Sequence, residues 1–135
     1  MAVGIAMIVD DNEASALLAE TLLELAGFDV RVVASAEEAL MQIRASRPDV
    51  VIVDLLLPGL DGLGFARVLR GDPEIASIPL IGVTAAEPSY YRAAGLATLC
   101  DGFINKPIQV ATFAEEVLGI VLRRIGAPSV PGDVA

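Results

Sequence analysis

Five short strand-like segments recur along the chain, and helical spacing of apolar residues follows each of them. Parallel strands that are buried on both faces appear in a sequence as short, nearly continuous apolar runs. Strands that alternate with helices of about 10–15 residues are typical of βαβ units. The pattern therefore predicts an α/β domain with a parallel sheet covered by helices on both faces. The predicted strands are Ile5–Val9, Asp29–Val33, Val50–Val53, Leu80–Val83 and Asp101–Asn105.

Residues that begin or end helices support this assignment. Gly27 ends the first predicted helix, Ser35 opens the second with the capping-box pattern Ser-Ala-Glu-Glu, and Asp61 can cap the third. A further helix is expected after Pro88, because proline suits the first helical turn. The predicted apolar faces are Ala14, Leu17, Leu18, Thr21, Leu22 and Leu25 in the first helix, Ala39, Leu40 and Ile43 in the second, Leu63, Val68 and Leu69 in the third, and Val110, Phe113, Ala114, Val117, Leu118, Val121 and Ile125 in the last.

Charged residues stand at the ends of three predicted strands. Asp10 and Asp11 follow the first strand, Asp54 follows the third, and Lys106 follows the fifth. In an open α/β sheet the ligand site lies beyond the carboxyl ends of the strands. If these strands are neighbours, three carboxylates and one ammonium converge on one crevice, and right-handed crossovers then require the first strand to be central. This arrangement predicts a site for a divalent cation and a phosphoryl group.

The chemistry of such a cluster favours phosphoryl transfer. Neighbouring carboxylates repel one another, and Mg²⁺ relieves this repulsion because it takes carboxylate and phosphate oxygens as ligands. A carboxylate can also attack phosphorus to give an acyl phosphate, a reaction that depends mainly on positioning and charge neutralisation. Lys106 supplies a second positive centre, and Thr84 supplies a hydroxyl donor. Each residue alone has an ordinary explanation as a turn or surface residue, so the combination carries the prediction.

Composition limits the classes of function. The chain has 135 residues, enough for one domain, and a net charge of −9, so direct nucleic-acid binding is not expected. The absence of histidine excludes histidine-based acid–base chemistry and a phosphohistidine carrier. The single cysteine, Cys100, fits a reducing compartment and is predicted to fill the core. We find neither a signal peptide nor an apolar stretch of about 18 residues, so we expect a cytoplasmic protein without a membrane partner.

The chain resembles the response-regulator receiver domain of two-component signalling, from about Ile5 to Ile125. Four motifs carry the resemblance: Asp10-Asp11, the segment Asp-Leu-Leu-Leu-Pro-Gly-Leu-Asp-Gly that begins at Asp54, Val83-Thr84-Ala85, and Lys106-Pro107. The resemblance implies a flavodoxin-like, doubly wound (βα)5 fold with strand order 2-1-3-4-5. It also implies a receiver domain over residues 1–125, followed by a flexible tail or linker over residues 126–135.

The resemblance further implies a role for each site residue. Asp54 is the phosphorylated residue and, with Asp10, Asp11 and the main-chain carbonyl of Leu56, forms the site for Mg²⁺ or alternatively Mn²⁺. In this family the lysine–proline bond after the last strand is often cis. The residues implied to hold the phosphoryl group or to switch on phosphorylation are Thr84, Lys106 and Phe103.

By the same resemblance, the chain is a signalling domain and not an enzyme. A histidine kinase or histidine phosphotransferase would donate the phosphoryl group and would meet the first helix and the loop after Lys106. The output would be contact with a downstream protein target, and a weak homodimer is a further expectation. The implied partner contacts are Ala14, Ser15, Leu18 and Ile108 at the rim of the site, together with Tyr90 and Tyr91.

Three alternatives stay open at this point. The chain can be a receiver fragment of a larger hybrid kinase or regulator, cut in the Pro/Gly-containing segment after Ile125. A pseudo-receiver scaffold would not be phosphorylated, but no acidic or lysine position of the motif set is lost. An aspartyl-phosphate hydrolase of the haloacid dehalogenase type needs a second acid two residues after the nucleophile, where this chain has Leu56.

Overall fold

The protein folds around a five-stranded parallel sheet with helices packed against it. The computed structural model describes residues 3–55, 62–85 and 98–124. The strand order is β2-β1-β3-β4-β5, so the predicted doubly wound topology is confirmed. The strands are β1 Gly4–Val9, β2 Phe28–Val33, β3 Val50–Asp54, β4 Leu80–Thr84 and β5 Gly102–Asn105. The helices within the described ranges are α1 Glu13–Leu25, α2 Ala36–Ala45, α3 Gly62–Gly71 and α4 Phe113–Arg124.

The sheet is buried on both faces, which explains why its strands are almost entirely apolar. Every residue of β3 and β4 is buried. Alternate side chains of these strands enter two separate cores, one under α2 and α3 and the other under α1 and α4. Cys100 lies in the core under α2 and α3, as predicted, and burial raises the pKa of its thiol to about 12. Because a core packs against each face of the sheet, the strands are held on both sides and their carboxyl ends lie along one edge.

Helix α1 begins and ends where the sequence indicates, but its buried face is not the predicted one. The side chain of Asn12 accepts a hydrogen bond from the backbone N–H of Ser15 and caps the helix, and Gly27 follows it with a φ of +103°. The face that packs on the sheet is formed by Ala16, Ala19 and Leu23. The prediction was wrong because α1 carries two apolar stripes at helical spacing, and the sheet covers the one that contains Ala16, Ala19 and Leu23. Of the predicted face, Leu22 is partly buried and packs against the core under α1, as expected, whereas Ala14 and Thr21 are exposed. Leu17, Leu18 and Leu25 are 62 %, 40 % and 80 % exposed.

The other helices follow their predicted faces more closely. Helix α2 buries Ala39, Leu40 and Ile43, and the Ser35 hydroxyl accepts a hydrogen bond from the Glu38 N–H, which is one half of a capping box. The prediction for Val68 in α3 is wrong, because its side chain is exposed, and Val110, predicted to lie on the last helix, is exposed and precedes the start of α4. The buried positions of these two helices are Phe65, Ala66 and Leu69 in α3 and Phe113, Val117 and Ile120 in α4.

Some predicted features lie outside the described residues. These are the Asp61 cap, the helix expected after Pro88, and Ile125 with the tail that follows it. Among the helices of residues 3–55, 62–85 and 98–124, none combines the length and the hydropathy needed to cross a bilayer.

Candidate functional site

The carboxyl ends of β1, β3, β4 and β5 bring the predicted site residues to one edge of the sheet. Asp54 and Thr84 are the last residues of β3 and β4, whereas Asp10 and Lys106 directly follow β1 and β5. Backbone hydrogen bonds continue to this edge. The N–H of Asp10 donates to the Val33 carbonyl at 3.0 Å, and the N–H of Lys106 donates to the Thr84 carbonyl at 2.9 Å. The sheet therefore fixes the main chain beneath the site.

Three carboxylates form a compact acidic cluster. One carboxylate oxygen from each of Asp10, Asp11 and Asp54 lies within 4.8 Å of the other two. Asp10 and Asp54 are each 8 % exposed, whereas Asp11 is exposed to solvent. Two buried carboxylates therefore lie beside one exposed carboxylate. Because such a set suits a hard divalent cation, these residues are the ones that could hold Mg²⁺.

Lys106 neutralises part of the acidic cluster. Its Nζ donates a hydrogen bond to Asp54 Oδ2 at 3.1 Å and lies 3.6 Å from Asp10 Oδ2. The lysine side chain is 26 % exposed, so its ammonium is held at the rim while the two carboxylates lie deeper. The bond between Lys106 and Pro107 is cis, as the resemblance implied. The predicted convergence of one ammonium on the aspartates is thus seen directly.

Asp10 carries the clearest electrostatic signature of the site. Burial is the main cause that raises the pKa of its carboxyl above the ordinary value of 3.8, and the neighbouring Asp54 and Asp11 raise it further. The N–H of Asn12 donates to Asp10 Oδ1 at 2.9 Å and, with the Lys106 ammonium, opposes this shift. A buried carboxyl whose pKa is raised by burial and by neighbouring acidic groups is typical of functional sites.

Asn12 is a residue that our sequence analysis missed. It connects the acidic cluster to α1, because its backbone orients Asp10 while its side chain caps the helix. The signal was present in the sequence, since an asparagine directly before a helical pattern is a typical N-cap.

Thr84 and Phe103 complete the part of the site formed by β4 and β5. Thr84 is 1 % exposed and ends its strand beside the last residues of β3. Phe103 is half-buried and packs against the core under α2 and α3, opposite Gly82 in the register of the sheet. Leu56, whose carbonyl was predicted to be a metal ligand, lies outside the described residues.

A cavity of about 110 Å³ opens beside Asp54 between α1 and the loop after β5. Ser15, Leu18 and Ile108, three predicted partner contacts, line it. Ala14 is exposed but is not among the lining residues, and Tyr90 and Tyr91 lie outside the described residues. The cavity wall is mostly apolar and lies next to the charged cluster.

Comparison with known proteins identifies the family. The sequence matches the family model of the response regulator receiver domain over residues 6–118. The chain belongs to this family. Receiver domains are phosphoacceptors of two-component signalling, they bind Mg²⁺ at an acidic pocket, and they interact with histidine kinases and downstream targets.

The relatives of the chain include both single-domain and longer regulators. It is 36 % identical to the polar-differentiation response regulator DivK of Brucella anthropi, covering 82 % of this chain and 90 % of DivK. It is 34 % identical to the phosphate regulon transcriptional regulatory protein PhoB of Rhizobium meliloti, covering 86 % of this chain and 51 % of PhoB. The chain thus spans about half the length of PhoB and of the MtrA regulators that it also matches.

A solved structure supports the same assignment. The signal receiver domain of a signal transduction histidine kinase from Syntrophus aciditrophicus superposes with a TM-score of 0.82 at 29 % identity. The alignment covers 95 % of this chain and 97 % of that domain. Similar receiver domains therefore occur both in separate regulators and in kinases.

Proposed function

We propose that this receiver domain accepts a phosphoryl group on Asp54, in a Mg²⁺-dependent reaction, from a phosphohistidine of a histidine kinase or histidine phosphotransferase. The single observation that carries the proposal is the Asp54 carboxylate, buried beside Asp10 and within 3.1 Å of the Lys106 ammonium. The phosphorylated domain would then present an altered surface to a downstream protein.

The proposed reaction uses the described residues in distinct roles. An oxygen of Asp54 attacks phosphorus, the P–N bond of the phosphohistidine breaks, and the product is an acyl phosphate with a free imidazole. Asp10, Asp11 and Asp54 would hold Mg²⁺, which supplies charge neutralisation at the phosphoryl oxygens. Lys106 would move its ammonium from the Asp54 oxygen to a phosphoryl oxygen, and the Thr84 hydroxyl would donate to another. Little further chemistry is needed, because phosphoryl transfer depends mainly on position and charge.

The phosphodonor would dock on α1 and on the loop after β5. Leu17 and Leu18 project from α1 into solvent, and Leu18 also lines the cavity beside Asp54 together with Ile108. An exposed apolar patch next to a charged cluster is typical of a protein-binding surface. This surface lies directly over the phosphorylation site, so a bound donor would bring its phosphohistidine to Asp54.

The proposal is tested by phosphorylation with a small donor. Wild-type protein is incubated with acetyl phosphate and MgCl₂, and intact mass spectrometry follows the phosphoryl adduct. We expect an adduct that EDTA abolishes and that Asp54→Asn lacks, because an amide is a poor nucleophile of nearly the same shape. Asp29→Asn is the matched control, since Asp29 is exposed at the opposite end of the sheet. An adduct of full yield in Asp54→Asn contradicts the assignment.

The alternatives differ in how the observations bear on them. A pseudo-receiver scaffold is disfavoured because Asp10, Asp11, Asp54, Thr84 and Lys106 are all present and meet at one edge. The alternative that the chain is a receiver fragment of a hybrid kinase or larger regulator stays open, because the chain spans about half the length of PhoB and also resembles a kinase receiver domain. The limits 1–125 and 126–135, the cytoplasmic location and a weak homodimer stay predictions.

A further inference from the structure

Leu55, the residue after the proposed phosphoacceptor, is packed into a slot formed by two glycines. It is 6 % exposed and lies in the core under α2 and α3. A Cβ atom at Gly82 of β4 would lie 2.9 Å from Leu55 Cδ1, and one at Gly62 of α3 would lie 2.5 Å from Leu55 Cα. Both distances are shorter than real carbon contacts. Any side chain at position 62 or 82 would therefore collide with Leu55 unless Leu55 moved.

This contact fixes the main chain directly after Asp54. The Leu55 N–H donates to the Val83 carbonyl at 3.1 Å, which ties it to β4, while its side chain covers Gly82 of the same strand. Gly62 closes the slot from the other side, against Leu55 Cα and its carbonyl oxygen. A shift of Leu55 would thus be transmitted through one peptide unit to Asp54, whose oxygen lies 3.1 Å from Lys106 Nζ.

We propose that Leu55, seated on Gly62 and Gly82, is a positioning residue that holds the Asp54 carboxylate in line with Lys106 and the cation site. The inference rests on the proposed phosphorylation of Asp54 and deepens it. Leu55 does not touch the phosphoryl group. It acts by fixing the peptide that follows the nucleophile, in a reaction for which position is the main source of rate.

The glycines offer graded perturbations of this contact. In Gly82→Ala the new methyl meets only the flexible end of the Leu55 side chain, whereas in Gly62→Ala it meets main-chain atoms. The matched control is Gly71→Ala in the same helix, where a Cβ would have no neighbour within 4 Å. We expect phosphorylation by acetyl phosphate at saturating Mg²⁺ to slow by about tenfold in Gly82→Ala and by more in Gly62→Ala, because a misplacement of about 1 Å can cost about 100-fold. Gly71→Ala should match the wild type.

A compensating variant separates positioning from folding. Leu55→Val combined with Gly82→Ala keeps the number of side-chain carbons in the slot constant, and such volume-conserving changes are tolerated best. We expect the double variant to recover to within about twofold of the wild-type rate. Circular dichroism and chemical unfolding are measured for every variant, and rates are compared under conditions where each is fully folded. Calorimetric titration with MgCl₂ alone should show that cation affinity falls in the same order among the variants. A purely structural role of Leu55 would leave the cation affinity of the folded protein unchanged.

The outcomes distinguish this inference from the proposed function. If the wild type and Gly71→Ala form no Mg²⁺-dependent adduct, the phosphorylation of Asp54 itself is overturned. If they are phosphorylated and folded Gly82→Ala reacts at the same rate, Leu55 is not a positioning residue. An equally slow double variant overturns it as well, because the loss then does not pass through the Leu55 contact. If neither glycine variant folds, Leu55→Val alone decides: a slower rate supports the inference and an unchanged rate refutes it.

Discussion

Asp10 shows, at the scale of a single residue, that the site is built at a cost to the fold. Its carboxyl is buried, and burial raises its pKa above 3.8 although Asn12 and Lys106 stabilise the charged form. The folded protein therefore binds this proton more tightly than the unfolded chain does. It follows that the free energy of unfolding falls as the pH rises from 3.8 through the raised pKa, and that the full cost applies above it.

This cost leads to a prediction for Asp10→Asn without metal. The amide keeps the size of the side chain and an oxygen that can accept from the Asn12 N–H, but it removes the buried charge. We expect the variant to melt at a higher temperature than the wild type at pH 7. The difference should shrink as the pH falls through the raised pKa of Asp10 towards 3.8, and it should vanish below 3.8, where the wild-type carboxyl is protonated in both states. Thermal unfolding across this pH range is the measurement, and a variant less stable at pH 7 would contradict the electrostatic account.

Asp11 differs from Asp10 because its side chain is exposed to solvent, so its charge is not buried at a cost to stability. We predict that Mg²⁺ stabilises the wild type by about 2.7 kcal/mol at one hundred times its Kd. If Asp11→Asn weakens binding about 100-fold, the same concentration yields only about 0.4 kcal/mol. Chemical unfolding with and without MgCl₂ measures both values, and Asp29→Asn should respond like the wild type. An unchanged response in Asp11→Asn would remove Asp11 from the metal site.

At the scale of elements, the start and end of a helix were easier to predict than its buried face. Asn12 and Gly27 mark the limits of α1 locally, through a side-chain cap and a positive φ. The buried face depends on what the helix meets across space. Leu17 and Leu25 have helical spacing suited to a core, yet the sheet covers Ala16 and Ala19 instead. Apolar spacing alone could not decide between these two faces.

A second element-scale feature, which the sequence did not reveal, holds α3 to the start of β4 and β5. The guanidinium of Arg70 in the last turn of α3 donates to Asp101 Oδ2 at 2.7 Å, and the Leu80 N–H donates to the same oxygen at 2.8 Å. The remaining guanidinium bonds go to the main-chain carbonyls of Leu99, Ala76 and Ile78. The partners lie up to 31 residues away in the chain, so no local pattern identifies them.

This network predicts unequal effects for two arginines. Arg70→Met should lower the free energy of unfolding by about 3–5 kcal/mol, because it removes the guanidinium that balances the charge of Asp101 and bonds to several carbonyls, in a place where both charged side chains are below one-fifth exposed. Arg44→Met is the matched control, since Arg44 pairs with Asp72 at 3.3 Å but is 47 % exposed. Its loss should cost no more than about 0.5 kcal/mol. Urea unfolding compares them, and equal losses would refute the distinction.

At the scale of the whole molecule, the sequence predicted the fold and the site for one physical reason. The carboxyl ends of parallel strands meet at a single edge, so Asp54 and Lys106 could be assigned to one crevice although 52 positions separate them. The slot that holds Leu55 could not be found in this way. It depends on the separation of β4 and α3, and glycine at 62 or 82 has ordinary explanations as a turn or strand residue. Topology therefore predicts where charges meet, whereas packing decides how firmly they are held.

The net charge of −9 adds a long-range contribution to stability that is distinct from cation binding at the site. Like charges repel more strongly in the compact state, and the Debye length falls from about 30 Å to about 10 Å between 0.01 and 0.1 M salt. Acidic residues on α1, α2 and α4 contribute to this repulsion, including Glu13, Glu24, Glu37, Glu38, Glu115 and Glu116.

We therefore predict that KCl raises the free energy of unfolding at pH 7 by roughly 1 kcal/mol between 0.01 and 0.5 M. MgCl₂ at equal ionic strength should stabilise the wild type more, because it screens the surface and also binds the aspartates. In Asp11→Asn the KCl response should persist while the additional effect of Mg²⁺ is lost. Urea unfolding in both salts separates the two contributions. A wild type that responds equally to the two salts at matched ionic strength would show that the acidic cluster gives no specific cation site, whatever the geometry of its three carboxylates.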